Sequence, residues 1–133
     1  MERKIFVNLP VKDLGASLDF FTMLGFSFNP EFTNDQAGCL VISDDIYTML
    51  VTEPFFATFT SRPVADATTV TEVAVALQVD SREQVDQIVD GALAQGAQPG
   101  GENADDEFMY GRGFHDLDGH LWNVLIMKTG DDQ

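Results

Sequence analysis

Two histidines and two aspartates lie close together near one point of the sequence. His115 and His120 flank a turn at 116–119 that contains Asp116 and Asp118. In a tight hairpin these side chains could converge on a metal ion, and His115 could act as a general base near neutral pH. The alternative is a solvated turn whose aspartates bond to their own backbone. We favour the turn, because the sequence offers His115 no identifiable partner.

The chain has a single cysteine, Cys39, as a candidate thiol nucleophile or thiolate metal ligand. One cysteine excludes a disulfide within the chain and a zinc cluster built from cysteines. Cys39 opens the apolar run 39–42, and apolar surroundings favour a buried, inert thiol over a reactive one.

The charge balance excludes whole classes of partner. The 133 residues include 22 acidic and 7 basic side chains, for a net charge of −15. A nucleic-acid partner would need a basic surface, and an anionic membrane would be repelled, whereas cationic small molecules would be attracted. No stretch approaches the ~18 apolar residues of a membrane span, and no signal peptide is recognisable. We therefore expect a cytoplasmic protein that binds neither nucleic acid nor membrane.

Hydrophobic periodicity predicts the order βαβββ in the first half of the chain. Asp13 is placed to cap a helix, and Gly25 is placed to end it. The expected apolar face of this helix is Leu14, Leu18, Phe21 and Leu24. The expected strands are 5–11, 26–28, 38–43 and 46–52, with a tight turn before the last.

The second half repeats the same order of elements. A strand is predicted at 72–79, and Ser81 with Gln84 forms a capping box that opens a helix ending at Gly96. An acidic loop at 99–107 then leads to strands at 108–114 and 120–128. The apolar face of the helix is expected to be Val85, Ile88, Val89, Ala92 and Leu93.

This internal repeat is the strongest indication of the fold. We predict one α+β domain over 1–133, with module one at about 4–53, a linker helix at 54–71 and module two at about 72–128. The linker contains Phe55, Phe56 and Phe59. These rings could pack on the sheet or form a contact between two copies of the chain.

Three segments resemble the vicinal oxygen chelate superfamily, which includes glyoxalase I, bleomycin resistance proteins, extradiol dioxygenases and fosfomycin resistance enzymes. The segments are 8–14 (NLPVKDL), 20–26 (FFTMLGF) and 114–122 (FHDLDGHLW). The resemblance implies two βαβββ modules forming facing half-barrels around a central cavity. It also implies a divalent metal in many members and a homodimer. It does not imply one reaction, because the superfamily carries several activities on one scaffold.

The resemblance also implies where metal ligands should stand, on the first and last strands of each module. The matching positions here are Phe6, Thr48, Ala74 and Asn123. Phenylalanine and alanine have no donor atom, and threonine and asparagine supply only neutral oxygens, whereas Ni, Zn, Fe and Mn sites use imidazole or carboxylate ligands. We therefore expect no metal and no cofactor.

A cavity without a metal would bind through apolar walls and a few polar groups. The residues predicted to bind the ligand are Asn8, Thr48, Tyr110, Arg112 and Asn123. Trp122 and Asn123 must point to opposite faces of their strand, and we expect Asn123 to face the ligand. Tyr110 and Arg112 share a face, where Arg112 could bind an anionic group or form a structural salt bridge.

Three functions of different class follow. We favour a glyoxalase/bleomycin resistance-type protein that binds a small cationic or aromatic molecule without the usual metal. The alternative is an enzyme resembling lactoylglutathione lyase or a dioxygenase, with a displaced metal site. The third is an interaction module that pairs through its phenylalanine linker.

Overall fold

A computed structural model describes residues 3–101 and 103–128. It divides into two compact units, Met1–Ala65 and Asp66–Gln133. The division falls inside the segment 54–71 that the sequence predicts as a linker. No helix within the described ranges is long and apolar enough to cross a membrane.

The first unit is a four-stranded mixed sheet with one long helix. Strands β1 and β4 are parallel, and the remaining pairs of the order β1-β4-β3-β2 are antiparallel. The elements are β1 (Ile5–Val11), α1 (Leu14–Met23), β2 (Ser27–Phe28), β3 (Ala37–Val41), β4 (Ile46–Thr52) and the single turn α2 (Glu53–Phe56), with 3₁₀ turns at Pro30–Phe32 and Ala57–Phe59. The predicted helix and strands of this half are therefore confirmed.

Helix α1 begins and ends at the residues that its sequence signals. The Asp13 carboxylate accepts a hydrogen bond from the Ala16 amide at 3.1 Å, and Gly25 adopts a φ of 99° just after the helix. The helix buries Leu14, Ser17, Phe20 and Phe21. It lies over Gly38, because a β-carbon at that position would stand 2.5 Å from the Leu18 side chain.

The second unit has the same plan. In the order β5-β9-β8-β6, strands β5 and β9 are parallel, and β7 pairs with β8. The elements are β5 (Ala74–Gln78), α3 (Arg82–Ala94), β6 (Gln98–Pro99), β7 (Ala104–Asp105), β8 (Met109–His115) and β9 (Leu121–Met127). The segment predicted as an acidic loop thus contains most of two short strands. Strands of two residues carry no periodicity, and only pairing with β8 creates them.

Helix α3 covers one face of the second sheet. The Ser81 hydroxyl accepts from the Gln84 amide at 3.1 Å, which confirms the predicted start of the helix. Val85, Ile88, Val89 and Ala92 are buried, and α3 packs on β8 and β9. We call the side of the second sheet that α3 covers the α3 face, and the other side the open face. Along each strand, successive side chains alternate between these two faces.

Candidate functional site

A pocket of about 230 Å³ lies on the open face of the second sheet. Most of its lining residues are small or apolar, which is the usual character of a small-ligand site. The lining consists of Ala76, Gly101, Ala104, Met109, Gly111, Arg112, Leu121, Asn123, Val124 and Leu125. All of them belong to the second unit.

Strand β8 carries two glycines on the open face. Gly111 pairs with Leu125, and Gly113 pairs with Asn123, so both glycines belong to that face. A methyl group at Gly111 would lie 3.2 Å from the Leu125 Cβ atom and 3.3 Å from the Met109 Cε atom. Glycine inside a strand often marks a close approach of another group to the backbone. Here the Leu125 and Met109 side chains make that approach to Gly111, which is one of the residues that line the pocket.

Asn123 supplies the polar group of this pocket. Its side chain shares the open face with Leu121 and Leu125, as strand alternation requires. Among residues 3–101 and 103–128, none hydrogen-bonds to the Asn123 amide. The neighbouring Trp122 points to the α3 face, where it is buried and stacks with Phe114. The Asn123 Oδ1 atom lies against β8, because a β-carbon at Gly113 would stand 2.7 Å from it.

The structure separates the head groups of Tyr110 and Arg112 from Asn123. The Arg112 guanidinium bonds to the Asp86 carboxylate at 3.1 Å and to the Asp90 carboxylate at 2.9 Å, both on α3. The Tyr110 hydroxyl also donates to Asp86, and Arg82 stacks on the Tyr110 ring. The ionic neighbours hold the pKa of Arg112 above its usual value, with Asp90 as the largest contributor. Of the two roles left open for Arg112, the structure shows the salt bridge.

Replacing Arg112 by methionine is expected to leave the affinity of the pocket for its ligand within about twofold of wild type. The same change should lower the free energy of unfolding by about 1 kcal/mol, because a partly exposed ion pair contributes little. Arg62→Met is the matched control, since Arg62 is exposed and its side chain forms no ion pair among the described residues. Isothermal titration and urea unfolding measure the two effects. A loss of binding beyond about tenfold would restore an anion-binding role.

The first unit places Asn8 and Thr48 on opposite faces of its sheet. Asn8 pairs with Met49, and Phe6 pairs and stacks with Tyr47. Thr48 pairs with Leu40 on the α1 side and is only 2% exposed. Thr48 therefore cannot share a ligand-facing surface with Asn8, and the expectation that the two line one surface is corrected.

The same pairing corrects one of the four implied metal positions. Asn8 in the first module is equivalent to Ala76 in the second. In the sheets, Asn8 pairs with Met49, and Ala76 pairs with Asn123. The counterpart of Asn123 is therefore Met49, one residue beyond Thr48.

The four positions do not fit a divalent metal centre. With Met49 in place of Thr48, the set is Phe6, Met49, Ala74 and Asn123, which offers one thioether and one neutral amide. Neither is a ligand that holds Zn, Ni, Fe or Mn tightly. Within 3–101 and 103–128, no three His, Cys, Asp or Glu side chains are grouped so that they could hold a metal ion.

The two histidines of the β8–β9 hairpin have separate partners. The His115 Nδ1 atom donates to the Gly119 carbonyl at 3.0 Å, whereas the His120 Nδ1 atom lies 3.3 Å from the Glu72 carboxylate. His120 is buried, and Glu72 is distant in the sequence. No local pattern signals such a pair, so sequence analysis missed it.

Asp116 organises the same hairpin from a buried position. Its carboxylate accepts from the Asp118 and His120 amides at 3.0 Å and from the Trp122 indole at 2.9 Å. Burial raises the pKa of the Asp116 carboxyl, while His120 and these donors oppose the rise. The predicted bonding of the turn to its own aspartate is confirmed, but the expectation of a solvated turn is wrong, because Asp116 and His120 are buried. The Trp122 bond is an addition that the sequence did not indicate.

A larger hollow of about 600 Å³ lies where β5 ends, α3 begins and β9 ends, lined by residues 78–83 and 126–128. Its two cations, Arg82 and Lys128, are both bonded to Asp105. Because that hollow is polar and both of its cations are already paired, we assign the candidate site to the smaller open-face pocket.

Comparison with known proteins identifies the family. The profile described as bleomycin resistance protein-like N-terminal matches residues 3–43. A hypothetical protein of Staphylococcus aureus, SA1046, is 30% identical, with 95% of each chain covered and a TM-score of 0.78. Searching the curated proteins yields no match. The chain belongs to the vicinal oxygen chelate superfamily of glyoxalase, bleomycin resistance and dioxygenase proteins.

More distant structures share the fold. A glyoxalase-related enzyme from Fulvimarina pelagi is 19% identical over 99% of this chain and 95% of its own, with a TM-score of 0.77. The fosfomycin resistance protein FosX from Listeria monocytogenes, in complex with Mn(II) and sulfate, is 16% identical over 99% of this chain and 94% of its own, with a TM-score of 0.68. These likenesses confirm the predicted α+β fold class.

Proposed function

We propose that this chain is a glyoxalase/bleomycin resistance-type protein that binds a small molecule in the open-face pocket, without the divalent metal of its relatives. The observation that carries the proposal is a pocket lined mainly by small and apolar residues, with one amide, Asn123, for which residues 3–101 and 103–128 supply no hydrogen-bond partner. The donor set at Phe6, Met49, Ala74 and Asn123 supports the metal-free part.

Filling the pocket is the direct test of binding. Thermal shift with a broad panel of small molecules is expected to find compounds that stabilise the protein by about 2.7 kcal/mol at ~100 times their Kd. Ala76→Phe should abolish that stabilisation, because its ring would occupy the pocket beside Asn123. Ala94→Phe, at the exposed end of α3, is the matched control and should retain it. Stabilisation that survives in Ala76→Phe would place binding elsewhere and contradict the proposal.

The metal-free part has its own experiment. The chelator-treated protein is reloaded with Ni, Zn, Mn or Fe, and its metal content is determined by elemental analysis. Far less than one tightly held ion per chain is expected. One ion per chain would favour the enzymatic alternative, a lyase-like or dioxygenase-like protein with a displaced metal site.

We also propose that the protein acts as a cytoplasmic homodimer in which residues 1–133 function as one domain. Membership of the superfamily supports the dimer, and exposed rings such as Phe6, Phe32 and Phe59 supply apolar surface for an interface. Sedimentation equilibrium of the purified chain tests it, and a monomer at micromolar concentration would contradict it.

A further inference from the structure

We infer a second ligand site at the β8–β9 hairpin, where the Nε2 atom of His115 accepts a hydrogen bond from the ammonium group of a primary amine. The site is a pocket of about 320 Å³, which we call the hairpin pocket. Its lining consists of residues 67–68, 96, 98, 115–117 and 119, none of which lines the open-face pocket. The inference therefore goes beyond the proposed function and does not depend on it.

The tautomer of His115 is fixed by its hydrogen-bond partner. The Nδ1 atom lies 3.0 Å from the Gly119 carbonyl oxygen, which can only accept a hydrogen bond, so Nδ1 carries the proton. In a neutral imidazole the other nitrogen, Nε2, then holds a lone pair. No residue within 3–101 and 103–128 bonds to Nε2. The partner that the sequence could not identify for His115 is thus the Gly119 backbone.

The packing of the His115 ring directs Nε2 away from strand β8. One side of the ring bonds to Gly119, and the other side covers Gly100, because a β-carbon at Gly100 would stand 2.9 Å from the His115 Cδ2 atom. His115 is nevertheless partly exposed. The edge that contains Cε1 and Nε2 is therefore the part of the ring left to face the hairpin pocket.

Two further acceptors line the same pocket. Gln98 on β6 pairs with His115 on β8, so the two side chains share a face, and no described residue bonds to the Gln98 amide. The Thr68 hydroxyl donates its proton to the Asp66 carboxylate at 2.6 Å, which leaves the Thr68 oxygen as an acceptor. His115, Gln98 and Thr68 can therefore each accept one hydrogen bond from a ligand.

This set of acceptors matches an ammonium group, which has three donors and no acceptor. A hydroxyl would satisfy one of the acceptors, and a carboxylate or phosphate would meet lone pairs only. None of the described residues that line the pocket is lysine or arginine, and the Asp66 carboxylate bonded to Thr68 supplies negative charge. The net charge of −15 acts in the same direction, because it raises the local concentration of cations.

The rest of the ligand meets an apolar wall. Leu117 is 40% exposed, and a β-carbon at Gly96 would stand 3.5 Å from its Cδ2 atom, so the Leu117 side chain lies over Gly96 just after α3. Ala67 and Gly119 also line the pocket and add no polar side chain. A primary amine with a short alkyl chain combines the apolar contact with the three hydrogen bonds.

Three probes of equal chain length and different head group test the inference: n-butylammonium, 1-butanol and butyrate. Titration of isotope-labelled protein is followed by NMR at about pH 8, where an imidazole is neutral and an alkylamine is protonated. n-Butylammonium is expected to bind at least about tenfold more tightly than either other probe and to shift the Nε2 resonance of His115. Its affinity should fall as salt is added, because salt screens the attraction between charges.

Two variants locate the interaction. In His115→Asn the amide can still donate to the Gly119 carbonyl, but no group stands at the position of Nε2. This variant should lose about tenfold or more in n-butylammonium affinity while it keeps the urea midpoint of wild type. Gln98→Leu should also weaken binding, whereas Gln87→Leu, at an exposed site on α3, is the matched control and should not.

Should His115→Asn fail to fold, the wild-type protein still reports the tautomer. Long-range proton–nitrogen spectra are expected to show Nδ1 protonated and Nε2 unprotonated, and the reverse tautomer would overturn the inference. Binding of 1-butanol or butyrate as tight as that of n-butylammonium, or n-butylammonium affinity that survives in His115→Asn, would overturn it as well. If no probe shifts resonances of residues 115–119, the inference falls, and the broad panel with Ala76→Phe tests the open-face pocket independently.

Discussion

Replacing Asp116 by alanine is expected to lower the free energy of unfolding of the second unit by about 3–5 kcal/mol. The variant removes the acceptor of two buried donors, the Trp122 indole and the His120 amide, and of the part-buried Asp118 amide. A buried donor that loses its acceptor costs about 1–3 kcal/mol.

Trp122 reports this loss directly, because it is the single tryptophan of the chain and is 1% exposed. Urea unfolding followed by tryptophan fluorescence gives the free energy, and a red-shifted native spectrum should accompany it. Asp19→Ala, at an exposed site on α1, is the matched control and should change stability by less than about 0.5 kcal/mol. Equal values for the two variants would show that the Asp116 bonds contribute nothing.

The second large effect is expected at Gly119 in the same hairpin. Gly119→Ala should destabilise the protein by about 3 kcal/mol or more, because two costs add. Its φ of 92° disfavours any residue with a β-carbon, and that carbon would stand 2.6 Å from the Ala67 carbonyl oxygen. The backbone at 67–68 cannot yield as a flexible side chain would.

Gly25 separates these two costs. It has a similar φ of 99°, but a β-carbon there would have nothing within 4 Å. Gly25→Ala should therefore show only the backbone cost, about 1–2 kcal/mol. Urea unfolding of both variants gives the difference, which measures how tightly segment 67–68 packs on the hairpin. Equal losses of stability in the two variants would mean that this contact contributes nothing to the free energy of unfolding.

The hairpin of the second unit holds together the two strands that line the open-face pocket. Asp116, Trp122 and the turn glycine hold β8 against β9, and those two strands supply most of the residues that line the pocket, including Asn123. A site on paired strands is held more precisely than one on a loop. We therefore expect substitutions in the hairpin to lower the stability of the second unit. They should change ligand binding only as a consequence of that loss of stability.

Local signals in the sequence were enough to predict the elements. Strands β1 and β4 have the predicted bounds, and the caps at Asp13 and Ser81 lie where predicted. Apolar periodicity and capping depend on residues within a few positions of each other, so they can be read without the fold. The short strands β6 and β7 could not, because they exist only through pairing with β8.

Assignment of side chains to faces was less predictable. An error of one residue in register moves a side chain to the other face of a sheet. The position assigned to Thr48 was off by one residue, so Thr48 lies under α1, and Met49 takes the place opposite Asn8. The face of Arg112 was decided by its pairing with Val124, and its partners Asp86 and Asp90 lie on α3, whose distance from β8 no sequence spacing reveals.

The amino-acid sequence alone determined the order of elements, the acidic charge, and the lack of imidazole or carboxylate at the implied metal positions, because each is a property of residue type and short spacing. Only the tertiary structure decided which side chains share the open face, which residues line the pocket there, and that Asn123 has no partner among the described residues. These features depend on strand pairing and helix packing between residues far apart in the chain. Such contacts form only when the backbone has folded.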